Sequence, residues 1–280
     1  MSNAPSGSIA SPSEPSRPGA AARLWRWVRW QRAPASGIRI DSPGRETAAL
    51  VAYAILYVAF AAVTGWLVRE HPAPLLGAAK FTDDAWYVLL FKIGGLLVVP
   101  LAAMRWRGYR IRDLTPVWPA GASGLVAPAI AFALGCVLNV PYLGRLSAAL
   151  GSSSPARVGV VLLAGSLVPL LAAAVPEELY FRALLQTRLE RVAGRAVAWV
   201  GTAVLFTAWH LPTRFLLADG VEGHAGDLGS VLLGTGVPVL LVGLVFGWLW
   251  DRYRSPALLV ALHWGIDLLP AIASFAGVVR

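Results

Sequence analysis

The sequence predicts an all-α fold, a polytopic membrane helix bundle of about seven to eight transmembrane helices. Three observations carry that expectation. Of the 280 residues, 57% are hydrophobic and only 14% charged, against about 45–50% and about 25% in soluble proteins. The apolar residues gather in uncharged runs of about twenty, the length an α-helix needs to cross about 30 Å of hydrocarbon. Lys and Arg flank these runs, so the net charge of +9 reads as a topology signal and no nucleic-acid partner is expected. Cys136 is the single cysteine, which excludes an intrachain disulfide and a multi-cysteine zinc site.

Residues 1–45 form a basic, largely disordered cytosolic tail: they are rich in Ser, Pro and Ala, carry seven arginines against Glu14 and Asp41, and have no recognisable cleavable signal. Within the tail, Arg23-Leu24-Trp25-Arg26-Trp27-Val28-Arg29-Trp30 interleaves indoles with guanidiniums, a mixture suited to a helix lying in the headgroup region. Residues 46–157 supply the N-terminal membrane helices, with apolar runs at 47–68, 85–104 and 120–140. Residues 158–280 are expected to supply a second, C-terminal transmembrane core, with runs at 158–177, 196–213, 228–250 and 256–279. Arginines concentrate in the tail, in 105–113, in 182–195 and in 251–255, while the segments 69–84, 141–157 and 211–227 are poorer. The positive-inside rule then puts the N-terminus in the cytosol and the C-terminus outside. The expected location is a cell membrane, with membrane lipid as a partner and the oligomeric state open.

Ionisable groups at membrane depth are expensive and mark function or pairing. Seven stand out: Lys92, Glu177, Glu178, Arg182, His210, His263 and Asp267. All but Lys92 fall into three clusters. In Pro176-Glu177-Glu178-Leu179-Tyr180-Phe181-Arg182, four residues turn a helix by about 400°, so Glu178 and Arg182 share a face and pair while Glu177 points about 100° away. An unpaired Glu177 is the better candidate for a general base; the alternative is that both glutamates merely start a cytosolic helix after Pro176. In the second cluster, Phe206-Thr207-Ala208-Trp209-His210, the histidine lies 16 residues after Gly194, and Glu177 lies 17 before it. If Gly194 turns a helical hairpin, both sit at about 25 Å from the turn and can share a water, unless His210 only caps its helix. The third cluster, His263-Trp264-Gly265-Ile266-Asp267, sets two polar groups on one face. Asp267 can orient His263, both can donate to an oxyanion if Asp267 is protonated, or they form a satisfied core pair.

In order and spacing the three clusters resemble the motifs E-E-x-x-x-R, F-x-x-x-H and H-x-x-x-N/D of the CPBP family, the CAAX-protease and bacteriocin-processing intramembrane proteases. The resemblance covers about residues 158–270. It implies a multi-helix membrane endopeptidase in which Glu177 and His210 activate a water and His263 and Asp267 stabilise the oxyanion. Glu178, Arg182 and Phe206 would be structural support. Many members have Asn where this chain has Asp267. The metal is left undecided: Glu177, His210 and His263 would make a three-ligand zinc site with an open position, but the chain lacks H-E-x-x-H, and no cofactor is the preferred expectation.

Other chemistries fit less well. An aspartyl mechanism needs two membrane aspartates, and only Asp267 lies clearly within a run. The serine in Gly121-Ala122-Ser123-Gly124 resembles a rhomboid-type nucleophile, but that mechanism leaves Glu177, Arg182 and His210 unexplained. A non-catalytic scaffold or proton-coupled transporter would use ionisable groups at staggered depths, whereas these converge. Gly243 and Gly247, at G-x-x-x-G spacing, favour close helix packing in every case. A topology reporter fused within residues 105–113 is expected to read cytosolic; an external reading would overturn the orientation.

Overall fold

A computed structural model of the chain describes residues 38–75, 81–114 and 124–277. The Arg23–Trp30 run and residues 121–123 of the serine tetrapeptide lie outside them. The described residues form α-helices joined by short connections, with one isolated bridge between Pro74 and Asp84. In chain order these are α1 (Pro43–Glu70), α2 (Trp86–Trp106), α3 (Val126–Val137), α4 (Tyr142–Gly151), α5 (Pro155–Ala193), α6 (Arg195–Ala208), α7 (His210–Leu217), α8 (Leu228–Tyr253) and α9 (Pro256–Phe275).

Among the described residues, five helices are long and apolar enough to cross a membrane: α1, α2, α5, α8 and α9. A sixth span results if α3 and α4, bent by 84°, count as one. The expected count of seven to eight is not reproduced, for two local reasons, and one expected span is longer than its apolar run. The 120–140 run breaks at residues 138–141, where Asn139 turns its amide to donate to the Ile266 carbonyl at 2.7 Å. The 196–213 run is interrupted at Trp209, leaving a 14-residue α6 of about 21 Å, short of the hydrocarbon thickness. The 158–177 run does not stop there but continues through the basic stretch as α5, 39 residues long, about 58 Å. Gly194, at φ 80°, turns the chain between α5 and α6, as the hairpin reading expects. That conformation suits a residue without a Cβ.

Two prolines lie inside α5, at positions 169 and 176. A helical proline lacks its N–H and presses on the carbonyl four residues back, and the backbone answers by widening to i→i+5 turns. Such turns span Leu170–Ala174, Leu232–Gly236 and Trp86–Val98. Each ends two residues before a proline: Pro176, Pro238 and Pro100. A further wide stretch, Glu178–Gln186, follows Pro176 directly.

The bundle is apolar outside and polar within. Ile55, Leu56, Leu134, Leu163 and Leu233 are exposed while Lys92, Glu177, Glu178 and Arg182 are buried, the distribution a bilayer requires. Helix α9 packs between α3 and the first half of α5, α6 packs on α8, and α1 packs on α7 and on the end of α5. Two crossings are backbone-close. A Cβ on Gly135 of α3 would stand 2.6 Å from the Leu262 carbonyl oxygen, and one on Gly247 of α8 would stand 2.6 Å from the Trp199 ring. Gly265 faces the Phe132 carbonyl in the same α3–α9 crossing.

Where α5 leaves the apolar zone, ion pairs clamp it. Glu46 of α1, fully buried, accepts from Arg188 Nε at 2.7 Å and from the Tyr109 hydroxyl at 2.6 Å. Arg254 pairs with Glu190, and Arg195 with Asp251. Several of the arginines that mark topology in the sequence are therefore also structural. Gly265→Ala is expected to lower the unfolding midpoint in detergent, with an overpacking penalty of about 1–3 kcal/mol. Gly44→Ala, whose Cβ would meet nothing within 4 Å, should leave it unchanged.

Candidate active site

A cavity of about 320 Å³ lies among α2, α5, α7, α8 and α9, and Glu177, His210, His263 and Asp267 all line it. Groups 86 residues apart in sequence thus meet, because the Gly194 hairpin folds α6 back along α5 and α9 closes the far side.

Each side chain is aimed by its own local structure. The last carbonyls of a helix have no intrahelical donors. At the end of α6 the Phe206 carbonyl is instead met by His210 Nδ1 at 2.7 Å. That bond assigns the proton to Nδ1 and turns the Nε2 lone pair outward. The Phe206 and Trp209 rings hold the imidazole, at centroid distances of 4.9 and 4.0 Å. Glu178 and Arg182 pair across one helical turn at 3.4 Å, as their spacing predicts, and the Arg182 guanidinium lies 4.3 Å over the Phe206 ring. Phe206 therefore supports the site from two sides.

His263 is gripped from α5. Its Nδ1 meets Glu178 Oε1 at 2.9 Å, so Glu178 is tied to His263 as well as to Arg182. The Nε2 lies 3.4 Å from Asp267 Oδ2 and 3.8 Å from Glu177 Oε2. Asp267 is thus beside the ring nitrogen that points into the cavity, while the orienting bond to the other nitrogen comes from Glu178. Trp264 and Asn139 fix the backbone of this turn, donating to the Ser166 carbonyl at 2.8 Å and to the Ile266 carbonyl at 2.7 Å.

One expectation needs correction. The sequence leaves Glu177 unpaired, but its Oε1 accepts from the Lys92 ammonium, and both groups are buried. The pairing follows from the cost of an isolated charge in an apolar bundle. Lys92 comes from α2, 85 residues away, and its Nζ also sits 4.3 Å over the Trp209 ring. The available signal was that Lys92 alone breaks an otherwise apolar run; its partner was not readable. Arg214 and Glu222, which the charge pattern assigns to a connecting segment, also line the cavity. Among the described residues no three His, Cys, Asp or Glu side chains gather closely enough to hold a metal ion. Glu177 faces an ammonium and Glu178 a guanidinium and an imidazole. As placed, the donors do not fit zinc.

Residues 159–269 match the family described as type II CAAX prenyl endopeptidase Rce1-like. Over that stretch the chain is similar to the Rce1-like family. No curated protein and no solved structure matches the chain. The Rce1-like segment runs from α5 into α9 and contains the three motif clusters; Lys92 lies outside it. The family is one of CAAX-protease-type intramembrane endopeptidases, and the apolar helices agree with an integral membrane protein.

Lys92→Met should strand the Glu177 carboxylate and cost about 3–5 kcal/mol, read as a lowered unfolding midpoint. Adding Glu177→Gln should recover most of it. Additive losses in the double variant would show that the two side chains do not pair.

Proposed function

We propose that the chain is an intramembrane endopeptidase that hydrolyses a peptide bond in a membrane-associated peptide or protein by metal-free activation of water. The observation that carries this reading is the convergence of Glu177, His210 and His263 on one cavity. Glu177 takes a proton from the water as its oxygen attacks the scissile carbonyl carbon. His210, with Nδ1 engaged by Phe206, offers Nε2 as the second acceptor that orients the water.

As the C–O bond forms, the carbonyl oxygen becomes an oxyanion. His263 Nε2 faces the cavity with only long contacts, 3.4 Å to Asp267 and 3.8 Å to Glu177. In the doubly protonated ring this N–H is available to the new anion while Nδ1–H stays on Glu178. Asp267 holds the ring's outward edge in register, a role an ionised carboxylate can fill. The C–N bond then breaks, and Glu177 returns its proton to the leaving amine. The Lys92 ammonium balances the Glu177 charge between turnovers and supplies in protein form the local positive charge a metal would otherwise bring.

In a proteolysis assay on purified protein, Glu177→Gln and His210→Ala should each lower kcat by about 10²–10⁴-fold, and His263→Ala by about 10²–10³-fold. Full activity in Glu177→Gln would rule the mechanism out. Membrane proteomes compared with and without the protein would identify the peptide that is cut.

A further inference from the structure

The cavity has a second charged pole that the hydrolytic step does not use. Arg214 of α7 and Glu222 of the α7–α8 connection line it together with Glu177 and His263. Arg214 is only 9% exposed. Its Nη1 donates to the Tyr87 hydroxyl at 2.8 Å and to Thr213 Oγ1 at 3.5 Å, which fixes one side of the guanidinium. Among the described residues, the other side, Nε with Nη2, has no hydrogen-bond partner. Nε is buried without a partner, and Nη2 meets Glu222 Oε1 only at 3.8 Å. Glu222 Oε2 is buried without a partner too.

Glu222 is held back by its own backbone. The Thr235 hydroxyl donates to the Glu222 carbonyl at 2.7 Å. Gly234 lies so close beneath that a Cβ there would stand 2.7 Å from the Glu222 carbonyl carbon. The flanking Gly220 and Gly223 take φ of 89° and 115°, and a Cβ at Gly223 would strike Val231. The backbone of Glu222 is thus fixed, and its carboxylate stands 3.8 Å from Nη2, about 1 Å beyond charge-assisted hydrogen-bond length. It balances the guanidinium without filling the fork.

We infer that the Nε/Nη2 edge of Arg214 receives a carboxylate of the peptide substrate, which displaces the side chain of Glu222. A planar guanidinium with its Nε unpartnered and covered on the Nη2 side by Glu222 alone, in a cavity it shares with Val239, Val242 and Phe275, matches a carboxylate that takes the place of Glu222 next to an apolar side chain. The inference rests on the endopeptidase reading for the nature of the ligand, but the binding chemistry stands without it. The carboxylate is either the terminal α-carboxylate of a chain or an acidic side chain close to the scissile bond.

The test titrates the full-length protein in detergent with three probes, followed by calorimetry: N-acetyl-leucine, its neutral amide, and the α-amide of N-acetyl-glutamate, whose only carboxylate is on the side chain. At least one acid should bind about tenfold tighter than N-acetyl-leucinamide, and which acid does so identifies the source. Glu222→Gln should tighten that acid about threefold. Arg214→Lys keeps the charge but loses the fork, and should cut the acid's advantage about tenfold with the amide unaffected. Equal binding of acids and amide to the wild type overturns the inference, as does an unchanged preference in Arg214→Lys with a wild-type unfolding midpoint. Acid preference in a protein that cuts no peptide supports the inference and overturns the hydrolytic reading alone.

Discussion

A carboxylate at membrane depth needs a cation beside it, and the arrangement of this bundle follows from meeting that need twice. Glu177 is matched by Lys92 and Glu178 by Arg182. His263 lies between the two carboxylates, with one nitrogen on Glu178 and the other facing Glu177. The result is one buried network that ties α2, α5 and α9 together within a largely apolar bundle. Removing a single member leaves a charge with no solvent to turn to, which is why such networks hold helices in fixed register as well as serving chemistry. Aromatic faces complete the shell: Arg182 rests over Phe206 and Phe246, and Lys92 over Trp209.

Prolines shape this network without touching it. The wide turns before Pro100, Pro176 and Pro238 fall in the three helices α2, α5 and α8 that line the cavity. A regular helix crossing the same depth would satisfy its backbone with less room between neighbours. Widened turns rotate the following residues around the axis, and Glu177 and Glu178 come immediately after one of them. The break at Trp209 acts in the same way on α6, freeing the Phe206 carbonyl that orients His210.

How much of this could be read from the chain depends on distance along it. The membrane class, the Glu178–Arg182 pair, the Gly194 turn and the shared depth of Glu177 and His210 rest on composition or on helical periodicity, and these are local properties. The Gly243 and Gly247 crossing was legible for the same reason. Lys92 was visible as an isolated charge, but its union with Glu177 is a tertiary contact that no spacing encodes. Arg214 looked like one more flanking arginine because hydropathy does not distinguish a connection at the surface from a helix lining a cavity. The count of spans failed where the backbone bends, at Asn139 and Trp209, since an apolar run reports length and says nothing of direction.

The continuity of α5 has an angular consequence. Its Glu177–Glu178 turn and its charged end belong to one rod, and the rod's end is pinned by Glu46 against Arg188 and by Arg254 against Glu190. Those distant pairs set the helix's roll about its long axis. A roll of about 100°, one residue's worth, would present Glu178 where Glu177 now stands and hand the lysine the wrong carboxylate. The choice between two adjacent glutamates, one facing Lys92 and one facing Arg182, is thus made some three turns away, at the charged end of the helix, by residues remote from the cavity.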